Sequence, residues 1–278
     1  MRYLFLASIA AAAITAPAVA APVNVPAQQS TIKYTRTATG ATGYGNYARA
    51  TSKIVYDAAT SSYTIRDTGS LTTTSTFAPA NIDAGASTPA FTVYKKGTNE
   101  TFRRYNQGAT TQGIALTYVD YGHWRRTGTP SFGTGTAVND TYLVWGTKTA
   151  SADMPRTGSA TYTTALDGTF VNKNGAYAVT GTGTLGADFL NGQISYSSTA
   201  TGTKEIGGTT LAFGTMTGTG TIAFGSSGFS GTGTANGSGY RMDVNGNFYG
   251  PDAAEVGGLF RITGGGGNGT GVIAGVQP

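Results

Sequence analysis

The chain contains no cysteine and one histidine among its 278 residues. No disulfide can staple it, and no lipid can be attached through a cysteine. The ordinary zinc sites, which draw several ligands from Cys and His, are excluded as well. Charged residues are scarce at 11%, and the 13 acids stand in no informative motif. There is no Gly-x-Ser-x-Gly elbow, and no phosphate loop or dinucleotide fingerprint in a strand-to-helix setting. These absences point away from an enzyme and from a resident metal. The excess of basic residues is a few charges, too small to indicate nucleic-acid binding. Beyond the first 20 residues no apolar run reaches the roughly 20 residues of a transmembrane helix. No stretch after the leader carries a convincing helical period; a short turn at Pro251 to Glu255, opened by proline, is the best candidate.

Residues 1–20 read as an export signal: Met1-Arg2-Tyr3, an apolar stretch from Leu4 to Ala16, and Ala18-Val19-Ala20 as a small-residue exit, with cleavage expected after Ala20. The mature chain is therefore expected outside the cytoplasm, in the periplasm, at the cell surface or in the medium, without a cysteine-linked lipid anchor.

What the chain has in abundance is glycine, 43 residues, together with threonine and 16 tyrosines against 12 phenylalanines. The aromatics recur in short runs of period two, such as Thr161-Tyr162-Thr163 and Gln193-Ile194-Ser195-Tyr196, separated by Gly and Asn turns. That alternation is the signature of strands, and the fold class is all-β. The composition divides near Pro155. Thirteen glycines precede residue 156 and 30 follow it; Lys plus Arg outnumber Asp plus Glu by 12 to 7 in 22–155, whereas acids lead by 6 to 5 in 156–278. The spacing predicts a signal peptide at 1–20, a β-rich region at 21–155, and eight or nine strands in 156–278. The repeats Thr180-Gly181-Thr182-Gly183-Thr184, Thr217–Thr221 and Ser230–Thr234 suit the strong coiling of a small barrel.

Residues 246–260, GNFYGPDAAEVGGLF, carry the sharpest motif: Phe248, Tyr249, Gly250 and Pro251, then Glu255, Gly257, Gly258 and Phe260. Proline presets a turn, Asp252 and Glu255 suit the positive end of a short helical turn, and the glycines let the chain leave it. This run, with Tyr240–Val244 before it and Gly271–Gly275 after it, resembles the C-terminal β-barrel domain of the transferrin-binding protein B family. The resemblance covers 156–278 and implies a β-rich handle-like region followed by a small eight-stranded antiparallel barrel. It further implies an exported, non-enzymatic binding protein of a Gram-negative bacterium that captures an iron source or a host or environmental ligand, haem or protein, with an outer-membrane export or receptor partner. The alternative is a small outer-membrane β-barrel or a structural surface protein.

The basic, tyrosine-rich first half is where the ligand contact is expected, on Arg103, Arg104, Tyr105, Tyr121, His123, Trp124, Arg125 and Arg126. Guanidinium groups offer a fork of donors and a flat face, which suits an anionic or aromatic ligand or partner protein. No cofactor is implied by the residues outright. His123 could serve haem as its axial ligand, with Tyr121 and Trp124 beside the ring and Arg125 and Arg126 on the propionates. On a strand, His123 and Arg125 would share one face and Trp124 the other.

Overall fold

The computed structural model describes residues 22–67 and 73–278, so the expected signal peptide lies outside the described residues. The first region holds β1 (Val23–Arg36), β2 (Ala41–Asp57), β3 (Ser62–Asp67), β4 (Thr73–Phe77), β5 (Phe91–Lys96), β6 (Glu100–Tyr105), β7 (Thr110–Thr111), β8 (Ile114–Ala115), β9 (Val119–Gly128) and β10 (Thr136–Gly146). Eight of these form one sheet in the order β4-β3-β2-β1-β10-β9-β6-β5, and β7 and β8 make a separate small ribbon. The sheet curls until its edge strands face each other. Phe77 of β4 lies 6.2 Å, ring to ring, from Tyr94 of β5, and Lys96 Nζ donates to Ser75 Oγ at 3.1 Å.

The second region holds β11 (Ser159–Asn172), β12 (Gly175–Asp188), β13 (Gln193–Lys204), β14 (Thr210–Ile222), β15 (Gly228–Ala235), β16 (Arg241–Tyr249), β17 (Glu255–Gly264) and β18 (Gly267–Val276). They close into an antiparallel barrel, because β11 pairs with both β12 and β18.

Period-two sequence becomes two-sided packing. In β13, Ile194, Tyr196 and Ala200 point into the barrel, while Ser195, Thr199 and Thr201 face water. Tyr162, Phe170, Phe213, Phe248 and Phe260 fill the interior with other apolar side chains. Each such aromatic contributes on the order of 1.5–3 kcal/mol by burial. A lipid-spanning barrel has the reverse arrangement, an apolar exterior around a polar lumen. Here the wall left uncovered by the first region is hydroxyl-rich, with Thr182, Thr184, Thr215, Thr217, Thr219 and Thr232 all exposed.

The curled sheet has an inner face around Phe77, Phe102, Trp124, Leu143 and Trp145 and an outer face that packs on the barrel. That junction is apolar and hydrogen-bonded. Tyr105, Tyr121, Tyr142 and Val144 meet Tyr249, Leu259 and Val272; Ser30 Oγ lies 2.7 Å from Thr270 Oγ1, and Tyr142 OH lies 2.8 Å from Thr169 Oγ1.

The motif at 246–260 belongs to this junction. Its helical piece is a single 3-10 turn, Pro251–Ala253, shorter than the Pro251 to Glu255 turn expected. Glu255 is not a charge placed on a helix dipole. It opens β17, is buried, and its carboxylate accepts the backbone N–H groups of Thr117, Tyr118 and Val119 at 2.6, 2.9 and 2.8 Å. Gly250 has φ +75°, and a Cβ there would collide with the Tyr118 ring; at Gly257 it would come within 2.9 Å of Val119 Cγ1. Gly250 is stitched to the segment after β10 by its N–H donating to Thr147 O at 2.9 Å and by Thr149 Oγ1 donating to its carbonyl at 2.7 Å.

Candidate ligand-binding site

Strand alternation sorts the eight expected contact residues onto two faces of one sheet. His123, Arg125, Tyr121, Arg103 and Tyr105 point toward the barrel; Trp124, Arg126 and Arg104 point into the curled sheet. His123 and Arg125 therefore share a face and Trp124 takes the other.

On the barrel side the charges are committed. Arg125 holds Asp140 through Nε to Oδ1 at 2.7 Å and Nη2 to Oδ2 at 2.8 Å, and reaches Glu205 of the barrel. Tyr34 OH donates to Asp140 Oδ2 at 3.1 Å. Arg103 is paired with Asp167 of the barrel. Burial alone would raise the Asp140 carboxyl, but Arg125 and then His123 outweigh it and hold its pKa well below the ordinary carboxylate range. Burial, reinforced by Asp140, pushes the Tyr34 hydroxyl up. Tyr105 and Tyr121 stack 5.0 Å apart inside the junction, both buried.

This corrects the expectation for His123. Its Nε2 lies 2.8 Å from Asp140 Oδ1, and its ring stacks on Tyr142 with centroids 4.4 Å apart and planes 4° from parallel. Haem iron would have to displace a buried carboxylate and slide between packed sheets. Trp124 cannot cover the same ring, because it is fully buried on the opposite face. Tyr105, also fully buried, cannot touch a ligand either. His123 and Tyr105 sit in the junction between the two regions, and Trp124 in the core of the curled sheet.

On the inner face Arg104 pairs with Asp120 and lies 4.9 Å over the Tyr63 ring. Burial pushes the Asp120 carboxyl up to about 6, against the opposing pull of Arg104. Arg126 stacks over Trp124 at 4.1 Å and is paired with Asp67, which also accepts from Gln29 Nε2 at 2.6 Å.

Arg126 alone of the expected residues opens onto a cleft. The register places Lys33 of β1, Asn139 of β10 and Arg126 of β9 side by side in one row. Above that row, toward the open end of the curled sheet, lie Thr35, Ala137 and Gly128, then the β9–β10 loop with Pro130 and Phe132. The resulting cleft has a volume of ≈ 560 Å³. Arg126 Nε and Asn139 Oδ1 are buried in its wall with no hydrogen-bond partner among the described residues. Phe132 at the rim is 92% exposed. Among the described residues no acidic side chain lines the cleft. A wider hollow of ≈ 710 Å³ on the outer barrel wall is lined chiefly by Thr, Ser and Gly, whose hydroxyls already face water.

Lys33, Asn139 and Phe132 lie outside the set of contact residues expected from sequence. The row depends on pairing strands about a hundred residues apart, which local pattern does not reveal. Phe132 did leave a signal, a large aromatic stranded in the turn composition Thr129-Pro130-Ser131-Phe132-Gly133.

Six of the acids are already engaged. Asp67, Asp120, Asp140, Asp167 and Glu205 are paired with arginines, and Glu255 is taken by backbone amides. Among the described residues no group of three or more His, Asp or Glu could hold a metal.

Several solved structures have a similar fold. Isotype 1 transferrin binding protein B from serogroup B Neisseria meningitidis matches at 15% identity and TM-score 0.49, over 90% of this chain and 43% of that one. A double mutant of the Haemophilus parasuis Hp5 transferrin binding protein B matches at 16% and 0.39, over 92% and 76%. The N-lobe of lactoferrin binding protein B of Moraxella bovis matches at 14% and 0.41, over 64% and 79%. The likeness is one of fold. The chain spans less than half the length of the Neisseria protein. No protein-family model matches the sequence, and no curated protein matches it.

Proposed function

We propose that the chain is an exported, non-enzymatic binding protein that captures a ligand at the open end of its curled sheet, with the barrel as a rigid mount. The observation that supports this reading is the cleft of ≈ 560 Å³ at that end, lined by Lys33, Arg126 and Asn139 with no acidic side chain among the described lining residues and with Phe132 exposed at its rim. The leader-like residues 1–20 support export to the periplasm, the cell surface or the medium.

The test is capture. The full chain is expressed with its own leader in a Gram-negative host, recovered natively, and its bound species identified by mass spectrometry. Ala137→Trp, which fills the cleft, serves as the control. A ligand present on the wild-type protein and lost from the variant is the expected result. Retention by the variant would place the site elsewhere, and an empty wild-type protein after exposure to culture medium and host serum would overturn the reading.

A further inference from the structure

A second cleft, of ≈ 540 Å³, opens at one end of the closed barrel, beside the segment that leads into β11. We propose that it binds an amphiphile with a single anionic head and an aliphatic chain, the pattern of a free fatty acid. This site is separate from the cleft of the curled sheet and does not depend on it.

Topology brings the walls of this cleft together. In an antiparallel barrel the end of β12, the end of β14 and the start of β11 share one rim. The turns 189–192 and 223–227 therefore meet the segment before β11 there. Backbone hydrogen bonds tie them to one another: Phe189 N–H donates to Gly158 O at 3.0 Å, and Ile222 N–H donates to Gly192 O at 2.8 Å. The walls are formed before any ligand arrives, as is usual for small-molecule sites, and the volume falls within their usual range of about 300–1,000 Å³.

The lining is apolar down to the barrel core. Met154, Phe189 and Ile222 line the cleft and pack against that core, with the Phe189 ring 5.5 Å from the Phe248 ring. Leu190 and Phe224 stand on the two turns, Leu190 68% exposed and Phe224 wholly so. The other exposed large apolar side chains, Val23, Ile82, Phe132 and Ile206, lie singly on separate segments. Here two from different turns line one cleft whose floor is already apolar. Clustered apolar exposure around an apolar cleft marks a binding surface, whereas scattered single residues do not.

The polar groups select the head. Asn191 Nδ2 donates to Asp188 Oδ2 at 2.7 Å, and Ser226 Oγ accepts the N–H of Gly228 at 3.1 Å, so both serve their own turns. Arg156 is the one charged side chain among the described lining residues. It is exposed and makes no ion pair with any described residue. An accessible guanidinium beside an apolar cleft is complementary to a carboxylate joined to an apolar chain; a neutral lipid leaves it unused, and a cationic one is repelled. A walled cleft admits a chain that enters it. A bilayer or a flat protein surface would meet only the projecting Leu190 and Phe224.

The experiment titrates the full purified chain, stripped of bound lipid, by calorimetry with four probes: decanoate, 1-decanol, decyltrimethylammonium and butyrate. Decanoate should bind about fivefold tighter than decanol, the scale of a partly exposed ion pair. It should bind roughly a hundredfold tighter than butyrate, because each buried methylene contributes about fourfold. Decyltrimethylammonium should bind more weakly than decanol. Arg156→Gln should bring decanoate and decanol level, and Leu190→Ser with Phe224→Ser should weaken both by roughly tenfold without altering the melting temperature. Ala137→Trp, in the cleft of the curled sheet, should leave decanoate binding unchanged. Equal binding of decanoate and decanol by the wild type overturns the anionic head, and no binding of any probe at millimolar concentration overturns the ligand class. Binding undiminished in Arg156→Gln and in the double variant, or lost in Ala137→Trp, places decanoate elsewhere and overturns the site. Two further outcomes also overturn it: sedimentation with phosphatidylglycerol–phosphatidylcholine vesicles that needs Leu190 and Phe224 while free decanoate does not bind, which would make this rim a membrane contact, and a dimer in sedimentation velocity that the double variant dissolves, which would make a second copy the occupant.

Discussion

Glu255 Oε2 accepts the backbone N–H of Val119 at 2.8 Å, from a position 136 residues further along the chain. The same carboxylate takes the amides of Thr117 and Tyr118, so one side chain closes three donors where the first region enters β9. This explains why an acid stands three residues before the Gly-Leu-Phe of β17. Glu255→Ala would strand three amides in the junction and is expected to cost about 3–5 kcal/mol, the size of a broken buried charge interaction. Glu255→Gln, which keeps one acceptor oxygen but turns an NH2 toward an amide, should cost less. Urea denaturation midpoints at constant slope measure both.

Gly250 tests the same junction through the backbone. Its φ of +75° suits glycine, and the space a Cβ would need is taken by the Tyr118 ring. Gly250→Ala therefore combines strain of about 1–3 kcal/mol with displacement of Tyr118. The expected outcome is a lower melting temperature together with faster proteolysis of the segment 147–158 between the two regions. An unchanged melting temperature would show that the junction yields at this point.

Much of the fold was legible because a closed sheet obeys a local rule. Alternation in Tyr162, Tyr196, Phe248 and Phe260 marks which side chains go inward, and each is buried in the barrel. The arginines were harder. Arg103, Arg104, Arg125 and Arg126 read as a solvent-facing, ligand-ready band because arginine is ordinarily exposed. Their carboxylate partners, Asp167, Asp120, Asp140 and Asp67, lie 15 to 64 residues away and meet them only through strand register. Glu255 misleads for the same reason: a charge beside a proline turn suits a helix dipole locally, whereas its actual partners are on another element. Asn139 carries no local mark at all. It matters because register sets it between Lys33 and Arg126.

The arginine band therefore predicts a stability phenotype. Arg103→Glu sets a carboxylate against Asp167 in the junction, replacing an ion pair with a like-charge contact. A loss of about 2–4 kcal/mol is expected, comparable to breaking a partly buried pair. Ligand affinity of the fraction that remains folded should be unchanged, since Arg103 is on the face opposite the cleft. Reduced affinity at full stability would return Arg103 to the ligand surface.

Acid stability should follow Asp140. Its folded pKa is depressed below the unfolded value of about 3.9, so the unfolded chain binds the proton more readily. The stabilisation from Asp140 is complete above about pH 4–5 and is lost as pH falls below the unfolded value. Asp140→Asn should be destabilised near neutrality by about 3–5 kcal/mol, because Arg125 loses its buried partner. Its stability should then fall less steeply than wild type between about pH 5 and pH 2. Parallel acid limbs in chemical denaturation would show that Asp140 does not drive the transition.

His123 gives the clearest separation of structure from ligand chemistry. Its ring is held edge-on by Asp140 at 2.8 Å and face-on by Tyr142, inside the junction rather than at the cleft. Haemin added to the purified protein should produce the same absorption spectrum with wild type and with His123→Ala, because neither offers an accessible imidazole. The variant should nonetheless melt at a lower temperature: it loses a stacked ring and a hydrogen bond to a buried carboxylate, together about 2–3 kcal/mol. The two readouts move independently. A Soret band that sharpens with wild type and not with His123→Ala would mean that the junction opens to admit the porphyrin, and would restore His123 as an iron ligand.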